Sequence, residues 1–243
     1  MVIMNKQIEI LIEETKKVVS DRLLSVILYG SYVDHTESKN SDINLIAVID
    51  KLSAIDLKNL HKAVKKWKKF NETLPLFMGK IEWFASGDVY PMEYSDIKDR
   101  HKILYGEDIV SDLKIDKCHL RLQCESETKN LLIRLRQGYI ANSSDRRAVT
   151  ELIINSSKSL IAIFKTILRL NSDEKTPQDK HEVINKVALI TGLDAEFFTR
   201  VVEFKDNKKI FSSNEHDVII QKLIDSIYDI LKYVDKINTC EEV

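Results

Sequence analysis

LYGSYVDHTESKNSDINLIAVID, residues 28–50, decides how this chain folds. It ends one apolar run, LLSVILY (23–29), and contains a second, INLIAVI (43–49). A β-branched apolar run that stops at Gly30 reads as a strand entering a turn. The second run is almost wholly apolar after Asn44, the pattern of a strand buried on both faces. Between them HTESKNS is too polar to be anything but a surface loop. Gly30 and Ser31 therefore close the first strand, and Asp42 and Asn44 open the second after ten intervening residues. Side chains at i and i+2 of a strand project to the same side, so Asp42 and Asn44 share a face.

Outward from this pair, the N-terminal half alternates helix and strand. Residues 5–19 place Ile8, Leu11, Ile12, Val18 and Val19 at roughly helical spacing, which predicts an amphipathic helix. Residues 53–70 suit a second helix whose Lys65, Lys66, Lys68 and Lys69 form a solvated side. LPLFMG (74–79) and PMEYSDI (91–97) read as two more strands, separated by a short helix or turn from Ile81 to Asp88. HKILYG (101–106) closes this half as a short strand or extended segment. From about residue 115 strand signals cease. HLRLQCESETKNLLIRLRQGYI reads as one long helix, and residues 146–170, 180–191, 194–205 and 215–237 each carry helical periodicity. Breaks fall at Asn171 to Pro177, Gly192 and Ser212 to Asn214. The expected fold class is α+β: a mixed sheet with flanking helices in residues 1–112, then an all-α helical bundle in 113–243.

Composition narrows the function classes. The chain has 243 residues, 31% charged and 44% apolar, which fits a folded globular protein. Its 37 Lys+Arg against 38 Asp+Glu leave a formal charge of −1, so it carries no global attraction for nucleic acid. The opening MVIMNKQIEILIEE has acids inside its apolar stretch and does not resemble a secretion signal. No segment approaches the ~20 apolar residues of a membrane span, and the cytoplasm is the default expectation. Cys118, Cys124 and Cys240 are odd in number and widely spaced, and read as reduced thiols. His61, His101, His119, His181 and His216 are scattered without metal-ligand spacing, and His35 reads as a solvated loop residue. A homodimer is compatible with the chain, but nothing in it specifies one.

A Gly-Ser turn brings backbone N–H groups and a hydroxyl close to polyphosphate oxygens. Paired acidic side chains at i and i+2 can share the Mg²⁺ that neutralises a phosphate under attack. A third carboxylate from a neighbouring strand completes such a site. In these respects LYGSYVDHTESKNSDINLIAV resembles the signature of the DNA polymerase β nucleotidyltransferase superfamily: Gly-Ser, ten residues, then Asp-x-Asp between apolar strands. DVYPMEYSDIKDRHKILYGED and HLRLQCESETKNLLIRLRQGYI are similar to later segments of members that add a C-terminal helical bundle, the build of the aminoglycoside adenylyltransferases. The resemblance implies an ATP-like nucleoside triphosphate held at Gly30, Ser31 and Ser41, with Mg²⁺ at Asp42, Asn44 and a third acid. It also implies transfer of a nucleoside monophosphate to a hydroxyl of a small molecule or protein.

One position departs from that signature. Asn44 stands where the second carboxylate belongs, and an amide oxygen brings no charge to a hard cation. The third acid is open between Glu93, on the segment read as a strand, and Glu82 in GKIEWF. Two functional expectations follow: a Mg²⁺-dependent nucleotidyltransferase, or a degenerate relative that binds a nucleotide or a partner without turnover.

Overall fold

The computed structural model describes residues 2–33, 42–207 and 213–238. The chain divides into two compact units, Met1–Ile115 and Asp116–Val243.

The first unit is built on a four-stranded mixed sheet. Its strands are β1 (Leu23–Tyr29), β2 (Asn44–Ile49), β3 (Leu76–Gly79) and β4 (His101–Gly106), in the order β3-β2-β1-β4. β1 runs antiparallel to both β2 and β4, with Tyr29 opposite Asn44 on one side and His101 on the other. β2 and β3 are parallel, in register from Ile46–Leu76 to Ile49–Gly79. Leu45 to Ile49 are all buried, as a two-sided strand requires.

Helices cover both faces. On one, α1 (Val2–Val19) and α2 (Ala54–Trp67) set Ile8, Leu11, Ile12, Leu60, Ala63 and Trp67 against Val26, Leu28, Leu45 and Ala47. The other face carries α3 (Lys80–Ala85), α4 (Pro91–Asp99) and residues 109–113. There Trp83, Tyr94, Ile97 and Val110 surround Ile27, Ile46 and Val48. α2 begins at a full capping box: the Ser53 hydroxyl accepts from Asp56 N–H, and the Asp56 carboxylate accepts from Ser53 N–H. Arg22 then clamps Asp56 with two hydrogen bonds of 2.7 and 3.0 Å, tying the start of α2 to the residue before β1.

PMEYSDI is helical, not a strand. Met92 and Tyr94 suggest alternation, but Pro91 occupies the first helical turn, where its missing N–H costs nothing. Pro91, Met92, Tyr94, Ser95 and Ile97 are buried on one side, and the Ser95 hydroxyl donates to Pro91 C=O one turn earlier.

The second unit is all helix among the described residues. It comprises α5 (Lys117–Asn142), α6 (Arg146–Asn171), α7 (Lys180–Thr191), α8 (Ala195–Asn207) and α9 (Ser213–Asp235). α6 is the central element, meeting each of the other four. Its Val149, Ile153, Leu160, Ile163, Phe164 and Ile167 are all buried. Asp116, Asp145 and Asp179 cap the N-termini of α5, α6 and α7 by accepting backbone N–H groups. Cys118 is disulfide-bonded, which overturns its reading as a reduced thiol. Spacing along a sequence says little about proximity in space. Cys124 is free and buried, and Cys240 lies outside the described residues. No helix among the described residues is long and apolar enough to cross a membrane.

Candidate active site

β1 ends at Gly30, whose φ of +80° takes the left-handed conformation that a glycine adopts without strain. A Cβ there would lie 3.2 Å from the Asn44 side-chain nitrogen, so the turn and the amide are in close contact. Gly30 N–H donates to Arg100 C=O at 3.3 Å, and Gly30 C=O accepts from Val33 N–H at 3.1 Å. The Arg100 guanidinium donates in turn to Ser31 C=O at 3.3 Å. The Gly-Ser turn is thus held against the junction between α4 and β4.

Across the ladder from Tyr29, Asn44 is half-buried at the first position of β2. Ile43 is buried, while Asp42 is exposed and precedes the strand. The Asp42 carboxylate accepts a 2.7 Å hydrogen bond from the Thr73 hydroxyl. Thr73 sits in the turn between α2 and β3, anchored by Asn71 and Trp67. The Asn71 side chain accepts from Ile43 N–H at 2.9 Å and donates to Ile43 C=O at 3.1 Å and to Thr73 C=O at 2.7 Å. The Trp67 indole N–H also donates to Thr73 C=O, at 2.9 Å.

The two candidates for the third acid stand elsewhere. Glu82 is the third residue of α3, and its carboxylate accepts Gly79 N–H at 3.1 Å, closing the helix N-terminus. Glu93 is exposed in the first turn of α4, so the rigid strand position expected for it does not exist. β3, the strand beside β2, contains Leu76, Phe77, Met78 and Gly79 and no acid. Among the described residues no group of three or more His, Cys, Asp or Glu side chains is gathered for a metal ion. Ser41 and His35 lie outside the described residues.

As a cation site this donor set is lean. One carboxylate and one amide oxygen fit a single divalent ion whose remaining ligands come from a bound triphosphate or water. A second ion would have to share the one carboxylate of this pair, Asp42.

This chain aligns in three dimensions with the crystal structure of spectinomycin adenyltransferase AAD(9) from Enterococcus faecialis with ATP and spectinomycin. The TM-score is 0.56 at 16% identity, over 93% of this chain and 98% of that one. The fold is nucleotidyltransferase-like. No family model matches the sequence, and no curated protein matches it. The structure places Gly30 and Ser31 in the turn after β1, and Asp42 and Asn44 at the entry to β2, the locations read from the sequence pattern. The contacts that Asn71, Thr73 and Arg100 make with this region have no sequence signal, because nothing in KFNETLP or KDRHK marks a residue whose partner lies 28, 31 or 69 positions away.

Proposed function

We propose that the first unit binds a nucleoside triphosphate, ATP being the model, and transfers its nucleoside monophosphate to a hydroxyl on a small molecule. The contact between the Gly30 turn and the Asn44 amide, on a nucleotidyltransferase-like fold, carries this reading. Gly30 and Ser31 receive the phosphates, Gly30 because a turn without Cβ lets the backbone approach closely. Asp42 and Asn44 would hold one Mg²⁺, which would neutralise phosphate charge when bound. The acceptor oxygen forms its bond to the α-phosphorus while the α–β bridging bond breaks. Pyrophosphate then leaves, and the hydroxyl proton passes to solvent. The likeness in fold to an adenyltransferase crystallised with ATP and spectinomycin supports a small-molecule acceptor.

A second reading has its own observation. β3 offers no acid, and Glu82 is committed to capping α3. On that view the unit binds the nucleotide without turning it over. Calorimetric titration with ATP, with and without Mg²⁺, combined with a pyrophosphate-release assay across candidate acceptors, separates the two. Mg²⁺-dependent release that is lost in Asp42→Ala and kept or raised in Asn44→Asp supports transfer. Binding indifferent to Mg²⁺, with no release, supports the binding module. No binding at all rejects both.

A further inference from the structure

We propose that Asn71 and Thr73, on the turn between α2 and β3, are the positioning residues of the Asp42–Asn44 cation site; this rests on the nucleotide-site reading above. The parallel ladder between β2 and β3 begins at Ile46–Leu76, so Ile43 has no strand beside it on that edge. The Asn71 amide takes the place of the missing strand. It satisfies both the N–H and the C=O of Ile43 and is itself 7% exposed. A backbone residue fixed through both polar groups has little freedom to rotate. Asp42 and Asn44 flank that fixed residue at i and i+2, the spacing on which the proposed cation site rests.

The same amide anchors Thr73 C=O, which the Trp67 indole also holds. This fixes the Thr73 hydroxyl on one Asp42 oxygen at 2.7 Å. A hydrogen bond of this kind selects one rotamer of a ligating carboxylate, and the loss of such outer partners typically costs 10–100-fold in metal affinity. Here the effect should be pronounced, because Asp42 is the one carboxylate in the pair.

The test uses Mn²⁺ as probe, with a non-hydrolysable ATP analogue, on the full chain. Bound and free Mn²⁺ are counted by electron paramagnetic resonance, and the tryptophan unfolding midpoint is measured in parallel. Thr73→Val should weaken Mn²⁺ binding about 10-fold with the midpoint unchanged, and Thr73→Ser should restore it. Asn71→Ala should weaken binding too but also lower the midpoint, so the Thr73 pair carries the decision. Equal Mn²⁺ affinity in wild type and Thr73→Val overturns the proposal while leaving the site reading intact. So does a loss that tracks the unfolding midpoint, or one that Thr73→Ser does not restore. Absence of Mn²⁺ binding by the wild type with the analogue overturns the site reading, and the proposal with it.

Discussion

Replacing Gly106 or Gly30 by alanine separates two costs that the structure predicts to be very different. Both glycines have nearly the same positive φ, +78° and +80°. The backbone penalty for an L side chain in that region, about 1–2 kcal/mol, is therefore common to both. They differ in what the new methyl group meets. At Gly30 it would lie 3.2 Å from the Asn44 side-chain nitrogen, a contact relieved by a few tenths of an ångström of movement. At Gly106 it would lie 1.9 Å from Leu24 C=O and 2.8 Å from its carbonyl carbon. Backbone must move there, because no flexible side-chain end is involved. That movement breaks into the β1–β4 pairing and the 3.1 Å bond from Glu107 N–H to the same carbonyl. Such overpacking costs about 1–3 kcal/mol and the hydrogen bond about 1 kcal/mol more. Gly106→Ala should then lose roughly 3–6 kcal/mol, against roughly 1–2 for Gly30→Ala. At a urea slope of about 2 kcal/mol per molar, the midpoints fall by at least about 1.5 M and by about 0.5–1 M respectively. Tryptophan fluorescence is the assay, because the chain has 2 tryptophans and both, Trp67 and Trp83, are buried in the first unit. The signal reports that unit and no other. Equal losses in the two variants, within about 0.5 kcal/mol, would refute the close approach of Gly106 to Leu24 on which the difference rests.

Asp56→Asn should lower the same fluorescence midpoint at neutral pH by more than removal of the exposed Lys16–Glu13 pair does, since Asp56 is buried and clamped by Arg22. The Arg22 and Ser53 hydrogen bonds hold its carboxyl well below the usual carboxylate range. The stabilisation is therefore present above the unfolded value of about 4 and is lost as pH falls through the folded one, so the gap to wild type should close in strong acid. In the second unit His216 is buried beside the Thr150 hydroxyl, and burial pushes its pKa down. An unfolded histidine near 6.5 takes up protons that the folded one refuses, so α6 and α9 should lose hydrogen-exchange protection as pH drops below about 6.5. His216→Gln should flatten that dependence; unchanged pH sensitivity in the variant argues against the assignment. Burial also pushes the Cys124 thiol up to about 12. It should stay unlabelled by thiol reagents until the second unit unfolds, and rapid labelling of the native protein contradicts its burial.

What the sequence disclosed and what it withheld divide along physical lines. β1, β2 and the Gly30–Ser31 turn were legible because period, β-branching and a glycine act locally, and the five long helices of the second unit were legible for the same reason. PMEYSDI misled because seven residues with apolar Met92, Tyr94 and Ile97 satisfy a strand and a helix about equally. Pro91 tips that balance only when helix ends are weighed. The bond from Gly79 N–H to the Glu82 carboxylate was hidden for a related reason. Its capping role depends on α3 starting directly at the end of β3, a boundary that no spacing rule locates to within one residue.

The turn carrying Asn71 and Thr73 was silent for a deeper reason. Its hydrogen bonds close separations of 28 and 31 residues, and only the finished sheet brings them together. That contrast bears on the chemistry. Asn44 was visible at once as a missing charge, which suggested a decayed site. The structure adds that the backbone between Asp42 and Asn44 is held through a buried asparagine amide and that the Asp42 carboxylate is held by a hydroxyl. A side chain with nothing to ligate gains nothing from being oriented, and Asp42 is exposed, where such a bond contributes little to stability. An orientation imposed on the single carboxylate of the pair is what the proposed one-cation site requires, and the Mn²⁺ affinities of Thr73→Val and Thr73→Ser read it directly.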